Sequence, residues 1–389
     1  MTQLQHLAIG ALAPAALRGA DRPGECRHLD LGPEHPSRTG LLLIDVETHD
    51  DVITAARVQP GFNHRSAEKL FEVRDYRQLL MLADRHDWQS PFTGELGVAL
   101  VCEQLMGLVP PVRATWLRTL LAEHARIGSH LAHLGFLPHR ADDQALAARL
   151  RTARIAGREL MLAISGNRVH PMLNRLGGLA LDVDAEWLWQ FRRWADDCAA
   201  LARQLTALLD SQRIGQALGV LDARVIDAYS LSGPVAAASG IERDLRLLDP
   251  YLAYPELKDE LSAGMADEFT PRGDAASRFR VLAAEIGSSA AVISRCVAEL
   301  ADIAGPVETK LSKIVKLPDG EAYLAIDAPW GMAGFLLVSR AERTPWRLKL
   351  RTPSMANVQA LQEALIGCPM AEVEVVIASL GWTNGDLDK

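Results

Sequence analysis

Glu123, His130 and His133 come closest, by type and spacing, to a metal-binding set. They share one face of a predicted helix, but no fourth ligand accompanies them, so packing histidines held by hydrogen bonds are expected there, and no metal. Cys26, Cys102, Cys198, Cys296 and Cys368 lie far apart and include no CxxC. That pattern encodes neither a disulfide framework nor a zinc or iron–sulfur cradle. Cys102, Cys198 and Cys296 fall in apolar helical patterns and read as small buried hydrophobes in a reducing, cytoplasmic compartment. The glycine fingerprints of dinucleotide and P-loop sites, HExxH and GxSxG are all missing, so the chain carries no nucleotide, zinc-protease or serine-hydrolase signature of its own. Lys310, Lys313 and Lys316 read as a solvated face. Trp187, Trp189 and Trp194 read as core and subunit-interface anchors.

The elements that must position these residues follow from patterning. The 389 residues carry 41 Lys and Arg against 49 Asp and Glu, a net charge of -8, which leaves no basic surplus for nucleic acid. The apolar run Leu7 to Leu17 follows MTQLQH, which has no Lys or Arg, and Pro14 interrupts it, so a secretion signal is not expected. No uncharged apolar stretch reaches the roughly 18 residues of a membrane span, so membrane association is expected only through partners. Residues 41–47 and 51–58 predict a β-hairpin. Helices are predicted over 92–108, from Pro111 to about 134, and over about 143–164, 185–213 and 274–303. Residues 214–273 read as loop with short helices. Strands are predicted at 321–327, 334–339, 346–352 and 373–380, with a helix at about 355–366 among them. The class is α+β, a long-helix core with small β elements near both ends. Its regions are an N-terminal hairpin region at 1–65, a helical core at 66–320 and a C-terminal region at 321–389, forming one integrated unit.

A series of phrases then carries a resemblance along nearly the whole chain. In order they are GPEHPSRTG (32–40), PGFNHRSAEKLFE (60–72), ADRHDW (83–88) and LVPPVRATWLRTLLAEHARIGSHLAHLG (108–135). SGNRVHPMLNRLGGL (165–179), LSGPVAAASGIERDLR (231–246), APWGMAGFLLVS (328–339), RLKLRTPSMANVQAL (347–361) and ASLGWTNGDLDK (378–389) follow. The chain resembles the D subunit of proton-pumping NADH:quinone oxidoreductase, respiratory complex I, and its relative, the large subunit of membrane-bound nickel–iron hydrogenases. The resemblance implies the hydrogenase large-subunit fold. It also implies a peripheral subunit on the cytoplasmic side of the bacterial membrane, held by an iron–sulfur B-type subunit, a C-type subunit and membrane-arm subunits. The positions matching the hydrogenase's four cysteines read Asp87, Ser90, Thr383 and Asp386, so the soft thiolates that nickel requires are missing and hydrogen activation is excluded.

In the family the B-type partner carries a 4Fe–4S cluster, and the quinone enters the cleft between the two subunits. Arg85 and His170 match the Arg and His beside that cluster, where a cation and an imidazole favour its reduced form. The quinone-cleft candidates are His35, Thr39, Asp87 and Trp88. His35 keeps the first His of the family's HPxxHG, but Thr39 and Trp88 stand where the family has the second His and a Tyr. Thr cannot deliver a proton near neutral pH, and Trp donates only through its indole nitrogen. The resemblance thus implies electron transfer to a quinone coupled to ion translocation, with no cofactor bound by this chain. The alternative is a redox-silent coupling homologue in a hydrogenase-related membrane complex.

Overall fold

The computed structural model describes residues 2–10, 25–32, 35–262 and 270–389. Near the N-terminus, β1 (Thr2–Ile9), β2 (Glu25–Leu29), β3 (Leu42–His49) and β4 (Val52–Gln59) form one sheet in the order β2-β1-β3-β4. β1 runs parallel to β2 and antiparallel to β3. The predicted hairpin is therefore real but extends further, turning at Asp50 and Asp51. Both have positive φ, 50° and 59°, as the tight turn that suits twisted strands requires. The start of the Leu7 to Leu17 run is strand, with Leu7, Ala8 and Ile9 in the core. Its remainder, with Pro14, lies outside the described residues, as do Pro33 and Glu34 of the GPEHPSRTG phrase.

The helical core is built from α1 (Tyr76–Ala83), α2 (Pro91–Met106), α3 (Val112–Leu134), α4 (Gln144–Ser165), α5 (Ala185–Gln212) and α6 (Ala275–Asp302). Their ends are chemically marked. Pro91 opens α2, and Gly107 closes it with φ 62°. Asp143, Asp184 and Asp274 cap α4, α5 and α6 by accepting backbone N–H bonds of 2.8–2.9 Å. α6 packs against both α3 and α5. By length and composition α6 alone among the described helices could cross a membrane, but more than half of that stretch is buried within the protein. Trp187 and Trp194 bury their rings and donate to the Leu160 and Ala153 carbonyls, tying α5 to α4, whereas Trp189 is half exposed.

The C-terminal region pairs β5 (Asp319–Ala328), β6 (Gly331–Arg340) and β7 (Arg347–Arg351) into an antiparallel sheet, followed by α7 (Pro353–Ala364). The predicted strand at 373–380 is instead a helix, α8 (Val373–Ser379). Its run of Val and Ile lacks alternation because nearly every side chain is buried, and a short apolar run of that kind fits either element. Cys102, Cys198 and Cys296 are buried as expected, and Lys310, Lys313 and Lys316 are exposed.

Candidate functional site

The site is organised by the short connection between α1 and α2, which carries Asp84, Arg85, His86, Asp87 and Trp88. Two glycines let the chain pass through a narrow gap. A Cβ on Gly94 of α2 would sit 2.3 Å from the Ala83 carbonyl oxygen, and one on Gly385 would sit 2.2 Å from that of His86. His86 donates from Nδ1 to the Ala83 carbonyl at 2.5 Å and faces Asp386 at 3.5 Å. Consecutive side chains are thereby aimed at different surroundings.

Arg85 and His170, far apart in sequence, meet on one carboxyl group. The Asp84 Oδ1 lies 3.3 Å from the Arg85 guanidinium and 3.0 Å from His170 Nδ1. The backbone N–H groups of Val169 and His170 both donate to the Asn167 side chain at 2.9 Å, which fixes the approach of that loop. Asp84 is fully buried, whereas Arg85 and His170 keep 37% and 25% of their side chains exposed. Behind them is a second buried acid, Glu95 on α2, which accepts from the Asn174 N–H at 2.9 Å. Burial pushes Glu95 up to about 8, with the nearby Asp84 adding to the rise. Burial likewise raises Asp84 to about 6, opposed by Arg85. Sequence reasoning missed both acids. The available signal was Glu95 itself, a lone charge inside the apolar run FTGELGVALVC.

Asp87 turns the other way, into the C-terminal segment. It accepts from the Thr383 hydroxyl at 3.1 Å and from the Gln89 N–H at 3.2 Å. Burial and the neighbouring Asp386 push it up to about 7. Ser90 pairs with Thr93 at 2.5 Å, and Asp386 accepts from the Ser354 N–H at 3.1 Å. The four positions matching hydrogenase cysteines thus carry hard oxygen atoms, two of them bonded to each other, a donor set that does not fit a nickel–iron centre. Further along the same segment, Asn384 donates to the Thr39 carbonyl. Asp388 accepts from Gly61 and Asn63 N–H groups at 2.7 and 2.8 Å.

Among the described residues, the quinone-cleft candidates His35 and Trp88 line different recesses. Trp88 lines a recess with Phe92, His124, Arg154, Arg158 and Trp194. His35 lines a neighbouring one with Leu131, His139, Arg151 and Arg154, so Arg154 is the wall common to both. Thr39 is exposed and lines neither. His35 is buried, accepts from the Ser37 N–H at 3.3 Å, and is pushed down to about 3 by burial.

The helix carrying Glu123, His130 and His133 holds all three in the core. Glu123 is engaged by Arg246 at 3.1 Å, Ser289 and Tyr254 at 2.5 Å each, and Arg126 at 3.4 Å. Those arginines hold its carboxylate below the usual range despite burial. His130 bonds Glu285 at 2.7 Å. His133, fully buried, packs its ring against His35, Phe279 and Trp330 beside the Ala378 carbonyl, as a packing histidine does.

A bundle of long helices closed by a C-terminal segment, with small sheets near both ends, defines an α+β protein. The family model for the respiratory-chain NADH dehydrogenase 49 Kd subunit matches residues 149–316 and 310–389. A D-type subunit of NADH-quinone oxidoreductase from Salinispora arenicola is 40% identical over 394 residues, covering 100% of this chain and 99% of its own length. A second D-type relative, from Streptomyces coelicolor, is 40% identical over 370 residues, covering 93% and 94%. A third, from Desulforamulus reducens, is 31% identical over 366 residues, covering 92% and 97%. The chain belongs to the family of the 49 Kd, or D-type, subunits of NADH-quinone oxidoreductase, complex I.

Proposed function

We propose that this chain forms, with an iron–sulfur B-type subunit, the cleft where electrons reach a quinone in an ion-translocating NADH:quinone oxidoreductase. The observation that carries the reading is the convergence of Arg85 and His170 on buried Asp84, with their outer faces exposed and Trp88 opening a recess three residues along the chain. The names of the relatives support the overall reaction. A 4Fe–4S cluster in the partner would supply one electron at a time. This chain's part is electrostatic: Arg85 and His170 favour the extra electron beside them, and Asp84 holds both in place. NADH would be oxidised on another subunit. C-type and membrane-arm subunits would hold the chain at the cytoplasmic face of the membrane.

The test separates the two sides of the cleft. Arg85→Met in the purified assembly should lower the partner cluster's reduction potential, read by electron paramagnetic resonance titration. Restoring Thr39→His and Trp88→Tyr should change quinone turnover, because one well-aimed donor to a developing oxyanion is worth on the order of 2–4 kcal/mol. If neither quantity moves, the chain is a scaffold. That second reading, a redox-silent coupling homologue, is favoured by one observation: Thr39 is exposed, with its carbonyl tied to Asn384, outside the recesses lined by His35 and Trp88.

A further inference from the structure

The recess beside Trp88 is built mostly from groups that donate hydrogen bonds or carry positive charge. On α4 the spacing i, i+3, i+4, i+7 puts Arg154, Gly157, Arg158 and Met161 on one face. Gly157 lets α5 come close, because a Cβ there would sit 2.7 Å from the Trp194 ring that forms one wall. On α3, Ala125 and Gly128 are small, and a Cβ on Gly128 would meet nothing, so space is left between the helices. The chain just before α2 adds Trp88 and Gln89, and the loop before His170 adds Arg168. The cavity volume is about 60 Å³, room for several waters or for one small polyatomic ion.

The polar groups of this recess do not balance. The Trp88 indole Nε1 and the Gln89 amide Nε2 are buried and have no hydrogen-bond partner. His124 Nε2 is already bonded to the Gly157 carbonyl at 3.1 Å, and the Trp194 indole to the Ala153 carbonyl at 2.8 Å. Arg168 is paired with Glu159 at 2.8 Å, whereas Arg158 has no carboxylate partner among the described residues. Among the described residues no Asp or Glu lines the recess. A buried donor without an acceptor is costly, and such a group in a native protein ordinarily has an explanation. Here the unmet donors and the unpaired cation ask for the same thing, an acceptor that carries negative charge. A neutral carbonyl would satisfy a donor but leave Arg158 uncompensated.

We propose that this recess binds an oxyanion, a carboxylate or phosphate group, with Arg158 as its counter-ion and the Trp88 and Gln89 N–H groups as donors. The site goes beyond the quinone reading and does not depend on it. Trp suits the position better than Tyr for this purpose: an indole nitrogen only donates, whereas a phenol oxygen also presents lone pairs to the anion. Phe92, Met161, Pro171 and Trp194 make the rest of the wall apolar, and a charge-assisted bond is stronger where water is displaced. The small volume admits the charged head and leaves any larger body of the ligand outside. The same chemistry is offered by a free anion or by an acidic side chain of a neighbouring subunit.

The test uses the intact assembly with inorganic phosphate as the probe, chloride being exchanged for phosphate at constant ionic strength so that screening stays fixed. Binding of labelled phosphate, followed by equilibrium dialysis, should saturate at a single ion per assembly. Arg158→Gln should weaken it about tenfold or more, as loss of a charge-assisted hydrogen bond predicts, and Arg158→Lys should weaken it less. Arg158 is only half-buried, so its substitution spares the core. Saturable binding that Arg158→Gln leaves within about twofold belongs to an ion held elsewhere and overturns the proposal. If phosphate does not bind, an experimental map of the assembly decides. A neighbouring subunit's carboxylate within hydrogen-bond reach of Arg158 and Gln89 supports the site, and a recess holding only water or a neutral acceptor overturns it. None of these measurements involves quinone turnover, so failure of the quinone reading and failure of the anion site are told apart.

Discussion

Glu95 shows what a single side chain does to the molecule's dependence on pH. In the unfolded chain it loses its proton near 4.5, whereas in the fold it keeps it to about 8 because of burial. Between those values the folded state binds the extra proton, so stability falls as pH rises from about 4.5 to 8 and then levels off. Glu95→Gln keeps an acceptor for the Asn174 N–H and removes the titration. At about 1.4 kcal/mol per pH unit, the variant should exceed the parent at pH 8.5 by on the order of 2–4 kcal/mol and match it near pH 5. Calorimetric melts across that range read the difference, and parallel pH curves for the two proteins would refute it. Asp84 adds a smaller contribution of the same sign, since it is raised only to about 6. Arg85 and His170 were legible in the sequence because their phrases resemble a family. The carboxyl that joins them and the acid behind it were not, because only the fold brings Asn174 and Glu95 together.

The long helices were legible for local reasons: apolar residues at helical spacing, Pro at the first turn, and Gly or an Asp cap at the ends. The short elements were not. The 373–380 segment reads equally well as strand or helix, and only its burial under α6 settles the matter. β1 and β2 carry little alternation and are defined by pairing partners distant in sequence. One ion pair shows how the helices hold the loop that follows His170. Arg118 on α3 makes two bonds of 2.8 and 2.9 Å to Glu103 on α2, and two more to the carbonyls of Arg175 and Gly178. The Arg118–Glu103 pair is buried, so Arg118→Met strands a carboxylate and should cost about 3–5 kcal/mol, measured by denaturant unfolding. Amides of residues 167–180 should also exchange hydrogen faster than those of α5. Uniform loss of protection would mean that Arg118 supports the whole core and not the His170 loop.

As a member of the D-type family, the molecule works inside a larger complex, and its surface suits that life. Val73, Val109, Val112, Trp189 and Trp346 are each more than half exposed or close to it. Expressed without partners, the chain should self-associate, which light scattering after size exclusion reads directly. A monodisperse monomer with a cooperative melt would count against an obligate member of a complex. The same whole-molecule view gives meaning to the segment from Thr383 onward, which reaches Asp87, the backbone at Thr39, and Gly61 and Asn63. During synthesis, Arg85, Asp84 and His170 are all outside the ribosome long before residue 383 is made. The cluster of Arg85, Asp84 and His170 can therefore form on the nascent chain, while the bonds to Asp87 wait until residue 383 and those after it are made. A polypeptide interrupted at residue 382 would leave Asp87 without its hydroxyl partner and the 61–63 turn without its carboxylate. A copy lacking that segment is thus marked by loosened loops around residues 61–63 and 87, a difference in shape that a folding check can read before the chain is put to use.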